Sequence, residues 1–168
     1  NETEQRKMAS TTKIMTAIIT IENTKLTEKV KVGKEILKMY GTNIYIDVGE
    51  EISIEDLLYG LILRSGNDAA IALANYIAGS EEKFVQLMND KAKELGMVNT
   101  NFANTTGLHD ENHYSTVQDM MILLEYALQH ETFYQVFTAR SYTTAPTLGN
   151  QEGIRFESTV YEKIDRVN

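Results

Sequence analysis

The sequence predicts a mainly α domain with short β-strands. Three observations carry this reading. Six or seven segments show apolar residues at helical spacing, while only scraps read as strand. Hydroxyl residues that suit helix starts (Ser53, Ser80, Ser115) precede those segments, and Gly79 and Gly96 close two of them. Pro146 is the one proline among 168 residues, so the chain reads as continuous packed structure with short connections.

The elements follow in order. Residues 8–22 predict a helix whose apolar members (Ile14, Met15, Ala17, Ile18, Ile19, Ile21) go nearly all the way round. Such a helix belongs in the middle of a protein. After a break at 23–26, residues 29–32 and 51–53 read as short strands that could pair. Between them lie a helical turn at 34–39 and a loop through Gly41 and Gly49. Ser53, with Glu55 and Asp56 in the first turn, opens a helix through Leu57, Leu58, Leu61, Ile62 and Leu63. The stretch "RSGND" interrupts it, and residues 68–78 form the next helix. Ser80 caps a helix over 81–95. Residues 97–113 have no period and many Asn and Thr, which predicts a long ordered loop. Ser115 with Gln118 makes a capping-box pattern before a helix to about residue 129. Residues 132–139 read as helix and 141–145 as a strand, while 148–168 match no single pattern.

Composition removes several function classes. A net charge of −8 with no basic stretch excludes a binder of nucleic-acid backbones. No apolar run approaches the roughly 20 residues of a membrane span, and the polar opening of the sequence shows no signal peptide. Cysteine is absent, which excludes a disulfide scaffold, a thiol nucleophile and a Cys-ligated zinc.

Against this background Ser10 and Lys13 stand out. They lie three residues apart where the all-apolar helix begins. On a helix they share a face. A lysine kept among apolar side chains has a lowered pKa and can take a proton from a neighbouring hydroxyl. The spacing alone is not diagnostic, because Ser80 and Lys83 repeat it at the head of an amphipathic helix, where they read as a cap and a solvated amine. A second polar turn, Ser65-Gly66-Asn67, sits between two apolar helices. Ser65 offers a hydroxyl for proton relay and Asn67 an amide for a peptide group. Gly66 offers a positive φ or room for a ligand. The competing reading is a plain helix–helix turn.

These stretches resemble a known family. "ASTTKIMTA" is similar to the first motif of the penicillin-interacting serine DD-peptidases and "SGN" to their second. "GTNIYIDVGEEISIEDLLYGLILRSGNDAA" and "NTNFANTTGLHDENHYSTVQDM" resemble low-molecular-weight D-alanyl-D-alanine carboxypeptidases over about residues 1–145. The resemblance implies that Ser10 attacks the carbonyl of a peptidoglycan stem peptide ending in D-Ala-D-Ala and forms an acyl-enzyme. It implies Lys13 as general base, Ser65 as proton donor to the leaving D-Ala, and Asn67 with Gly66 as substrate-binding positions. It further implies β-lactam antibiotics as acylating mimics, an extracytoplasmic location in the cell envelope, and no metal or organic cofactor.

The family's third motif, Lys-Thr/Ser-Gly, does not occur. The sequence also begins only a few residues ahead of Ser10. Residues 1–168 therefore read as a single truncated transpeptidase-like domain. It would be the helical part of the α+β DD-peptidase/β-lactamase-like fold, with most of the central antiparallel sheet outside this chain. Loss of one oxyanion donor costs on the order of 100–1000-fold in rate, so weak or no activity is expected. The Ser10 helix should lack a neighbour and expose apolar surface, which predicts self-association. The alternatives are a class A-like β-lactamase with Asp110 or Glu111 as deacylating carboxylate, and a non-catalytic helical binding or regulatory module. His109 and His113, four apart, raise a zinc site, but Gly107 and Asn112 place them on a loop.

Overall fold

In the computed structural model, which describes residue 4 and residues 8–166, the described residues form seven α-helices, five of which pack around the buried first one. A 3-10 turn, Ala9–Thr11, leads directly into α1, Thr12–Asn23. The helix thus starts later than its pattern suggests, because Ala9 adopts a left-handed φ of 46° that regular α-helix does not accept. Strands β1 (Lys29–Lys31) and β2 (Glu51–Ser53) flank a second 3-10 segment, Lys34–Lys38. They pair antiparallel with Val30 opposite Ile52. Helices α2 (Ile54–Leu63), α3 (Asn67–Ala78) and α4 (Glu81–Leu95) follow. Ser53 and Ser80 cap α2 and α4 by accepting from the Asp56 and Lys83 N–H groups. Gly79 and Gly96 end α3 and α4 with φ of 82° and 81°.

Helix α5 is Val117–Leu128 and α6 is Glu131–Thr138. The cap of α5 is Thr116, whose Oγ1 accepts from the Asp119 N–H at 3.1 Å. The Ser115 hydroxyl is engaged instead by Thr100 Oγ1 at 2.7 Å, so the Ser115–Gln118 box does not form. The loop at 97–113 is ordered by side chains. Asn89 exchanges two hydrogen bonds with the Phe102 backbone, and Asn101 pairs with Tyr114. The tail folds back. Strand β3 (Ser141–Thr143) pairs antiparallel with β4 (Arg155–Glu157), and α7 (Thr159–Asp165) follows. This hairpin is fastened to α2: Tyr142 stacks on Tyr59 at 3.7 Å and donates its hydroxyl to Asp56 at 2.7 Å.

Helix α1 is apolar all round because it serves two cores at once. Ala17 and Ile18 pack with Val30, Ile52, Leu57, Leu61, Leu73 and Phe156. Met15 and Ile19 face Ala74, Phe84, Met88, Phe102 and Leu123. Helices α2 to α6 all touch it. The anticipated exposure of this helix is therefore not found: its apolar residues are buried or partly covered. Uncovered apolar side chains lie instead on other elements, among them α5, where Val117 is 44% and Met121 56% exposed. Among the described residues no helix is long and apolar enough to cross a membrane.

Candidate active site

Ser10 lies in the 3-10 turn at the head of α1 and is exposed. Its hydroxyl accepts a hydrogen bond from Ser65 Oγ at 2.7 Å, across 55 residues of sequence. Ser65 reaches it because the chain turns sharply where α2 ends. The Gly60 carbonyl accepts from both the Arg64 and Gly66 N–H groups, and Ser65 is left in a left-handed conformation with φ of 57°. A serine in that region is strained by about 1 kcal/mol or more and needs support from its surroundings. Gly66 itself has an ordinary φ of −68°. Its lack of a side chain makes room for Ile44, whose Cγ2 would stand 2.8 Å from a Cβ there, rather than for a positive φ.

Lys13 is buried, 3% exposed, one helical turn behind Ser10. Burial lowers its pKa to about 8, because the surroundings disfavour the charged form. Its amine donates to the Thr106 carbonyl at 2.8 Å. The structure therefore brings Ser10 and Ser65 into direct contact and keeps the Lys13 amine on a different partner.

Asn67 is also buried, and its Nδ2 donates to the Tyr40 carbonyl at 2.7 Å. Among the described residues no hydrogen bond is made to its Oδ1. The adjoining Asp68 carboxylate accepts from the Ile44 and Tyr45 N–H groups at 2.9 and 2.8 Å. Together they fasten residues 40–46 to the Ser65–Asn67 turn.

The loop at 103–113 holds α1 from the other side. Thr16 Oγ1 donates to the Thr105 carbonyl at 2.8 Å. His113 Nδ1 accepts from the Ala103 N–H at 2.8 Å, so its proton sits on Nε2 and points to Thr12 Oγ1 at 2.6 Å. Burial lowers the His113 pKa to about 4, which keeps the ring neutral. Both ring nitrogens are thus taken by protein groups, and His109 and His113 do not form a ligand pair. Asp110 caps its own turn by accepting from the Asn112 N–H. Sequence reading missed Thr12, Thr16, Thr106 and Gly107 as site-forming residues. A signal for the first two was available: Thr12, Thr16 and Thr20 recur every four residues on an otherwise apolar helix.

The family model described as D-alanyl-D-alanine carboxypeptidase matches residues 1–160. The chain is 43% identical over 137 residues to the D-alanyl-D-alanine carboxypeptidase DacF of Bacillus subtilis, covering 79% of this chain and 35% of that protein. It is 42% identical over 134 residues to DacC of Escherichia coli, covering 73% of this chain and 34% of that protein. Among solved structures it resembles penicillin binding protein 6B from Escherichia coli, with TM-score 0.84 and 30% identity over 95% of this chain and 52% of that one. It also resembles a D-alanyl-D-alanine carboxypeptidase from Mycobacterium tuberculosis, with TM-score 0.88 and 25% identity over 95% of this chain and 60% of that one. The chain spans about a third of the length of the two curated relatives.

Proposed function

The chain belongs to the D-alanyl-D-alanine carboxypeptidase family, and on that premise we propose that Ser10 is the nucleophile of a serine site cleaving peptidoglycan stem peptides that end in D-Ala-D-Ala. The observation that carries the reading is the Ser65–Ser10 hydroxyl pair at 2.7 Å with the dry Lys13 amine one turn behind. Ser10 Oγ attacks the carbonyl carbon between the two D-Ala residues while its proton passes to neutral Lys13. The amide C–N bond breaks, Ser65 relays a proton to the departing D-Ala nitrogen, and the peptide remains as an ester on Ser10. Water then hydrolyses that ester. Asn67 Oδ1 accepts a substrate N–H. Acylation begins with a change of partner, because Ser10 rests on Ser65 and Lys13 on Thr106. No metal or organic cofactor is needed for these steps.

Penicillins react in the same way and leave a stable acyl-serine. We read residues 1–168 as part of one transpeptidase-like domain working in the cell envelope, outside the cytoplasm. The 168 residues hold no Lys-Thr/Ser-Gly triplet, and the chain on its own is expected to turn over peptide weakly or not at all. The uncovered apolar side chains of α5 favour self-association of this chain.

The test is the intact mass of the chain after incubation with benzylpenicillin, beside Ser10→Ala. A single added penicilloyl mass, absent in the variant, is the expected result. An unmodified mass on a chain that is helical by circular dichroism would overturn Ser10 as a working nucleophile in these 168 residues. Rapid hydrolysis of a chromogenic cephalosporin would replace the carboxypeptidase reading with a β-lactamase.

A further inference from the structure

Two successive residues of one turn touch both members of the Ser10/Lys13 pair. Gly107 has φ of 86°, and a Cβ built on it would lie 1.8 Å from the Ala9 carbonyl oxygen and 2.4 Å from its carbon. Backbone therefore lies against backbone at this point, which only glycine permits. Ala9 immediately precedes Ser10 and is itself left-handed, a conformation that alanine holds only when its surroundings impose it. One residue earlier, the Thr106 carbonyl takes the Lys13 amine. The turn is in turn shaped by one side chain. Asn104 Oδ1 accepts from the Gly107 N–H at 2.8 Å and the Thr106 N–H at 3.2 Å, and Asn104 Nδ2 donates to the Leu108 carbonyl at 2.8 Å.

We propose that the turn at 104–108 is the positioning element of the nucleophile: Gly107 seats the Ala9 carbonyl and so sets the Ser10 backbone, while the Thr106 carbonyl fixes the Lys13 amine. The proposal rests on Ser10 and Lys13 being the reacting pair. Gly107, Thr106 and Asn104 are positioning residues and touch no substrate in it. Coupling both groups to one rigid turn fixes their separation, and a misplacement of about 1 Å at such a pair costs on the order of 100-fold in rate.

Gly107→Ala forces the Ala9 peptide away and opens the amine to water. The control is Gly96→Ala. Gly96 has φ of 81° but nothing within 4 Å of a Cβ, so it carries the same conformational strain without the collision. Asn104→Ala loosens the turn with no collision at all and serves if Gly107→Ala does not fold. Two readouts are taken on the full chain. The first is the pH titration of the Lys13 ε-methylene, followed by NMR on 13C-lysine protein and identified by its loss in Lys13→Arg. The second is the rate of penicilloyl addition.

The Lys13 midpoint is expected near 8 in the unaltered chain. In Gly107→Ala and Asn104→Ala it is expected to rise by about a unit or more as water reaches the amine. Acylation slows on the order of 100-fold in Gly107→Ala, and Gly96→Ala leaves both readouts unchanged. An unmoved Lys13 midpoint in a folded turn variant overturns the proposal, and so does an equal shift in Gly96→Ala. A chain that is never acylated sinks the functional reading alone, because the titration still decides whether the turn governs Lys13.

Discussion

Lys13 carries the sharpest consequence at the scale of a single residue. Its pKa is about 8 in the folded chain against 10.5 for a free lysine. Between those values the unfolded chain binds more protons than the folded one, so stability rises with pH across that window. Below pH 8 both states are protonated and the burial cost is present in full, on the order of a few kcal/mol. Urea unfolding of the chain and of Lys13→Met, compared from pH 8 to 10.5, is expected to show a gain with pH in the former relative to the latter. Parallel curves would refute it. The same titration raises the neutral fraction of Lys13, so penicilloyl addition should also speed up as pH rises through 8. The sequence disclosed this residue well, since an amine at the mouth of an all-apolar helix has to be dry. Its partner was not legible, because a backbone carbonyl 93 residues away leaves no side-chain signature. The same holds for Gly66, whose small size answers to Ile44 rather than to a turn.

At the scale of elements, the helices with local punctuation were legible and those fixed by distant contacts were not. Ser53, Ser80, Gly79 and Gly96 act within one turn of themselves, and α2, α3 and α4 start and stop at or within a residue of where these residues indicate. Ser115 looked equally good, but Thr100 captures its hydroxyl and the cap passes to Thr116. Strand β4 has three residues and exists only by pairing with β3, so no period of its own could reveal it. What secures that hairpin is testable. Tyr142→Phe keeps the stack on Tyr59 but removes the hydrogen bond to the Asp56 carboxylate. A cost of about 2 kcal/mol in urea unfolding is expected, as for a hydrogen bond to a charged group. No change would mean that stacking alone holds the hairpin.

Over the whole molecule, exposed apolar side chains are scattered, but Val117, Met121 and Leu128 gather on α5, beside the start of the helix that bears Ser10. A groove of about 350 Å³ runs there between Met8, Thr11, Ile14, Met120, Met121 and Leu124. Sedimentation at rising concentration is expected to show self-association. Val117→Lys with Met121→Lys should return the chain to monomer, and a monomer before substitution would refute it. The pattern of bonds around α1 has a further consequence, in time rather than in space. Thr16, Lys13 and Thr12 bond to partners 89, 93 and 101 residues later in the chain. A ribosome makes Ser10 and its helix before their clasp, and must add 93 residues after Lys13 to reach Thr106. Helices α2, α3 and α4, which supply much of the wall of α1, are made within that interval, so the helix can be covered before it is clasped. A chain halted before Thr106 carries its nucleophile and its base with nothing to set them against each other.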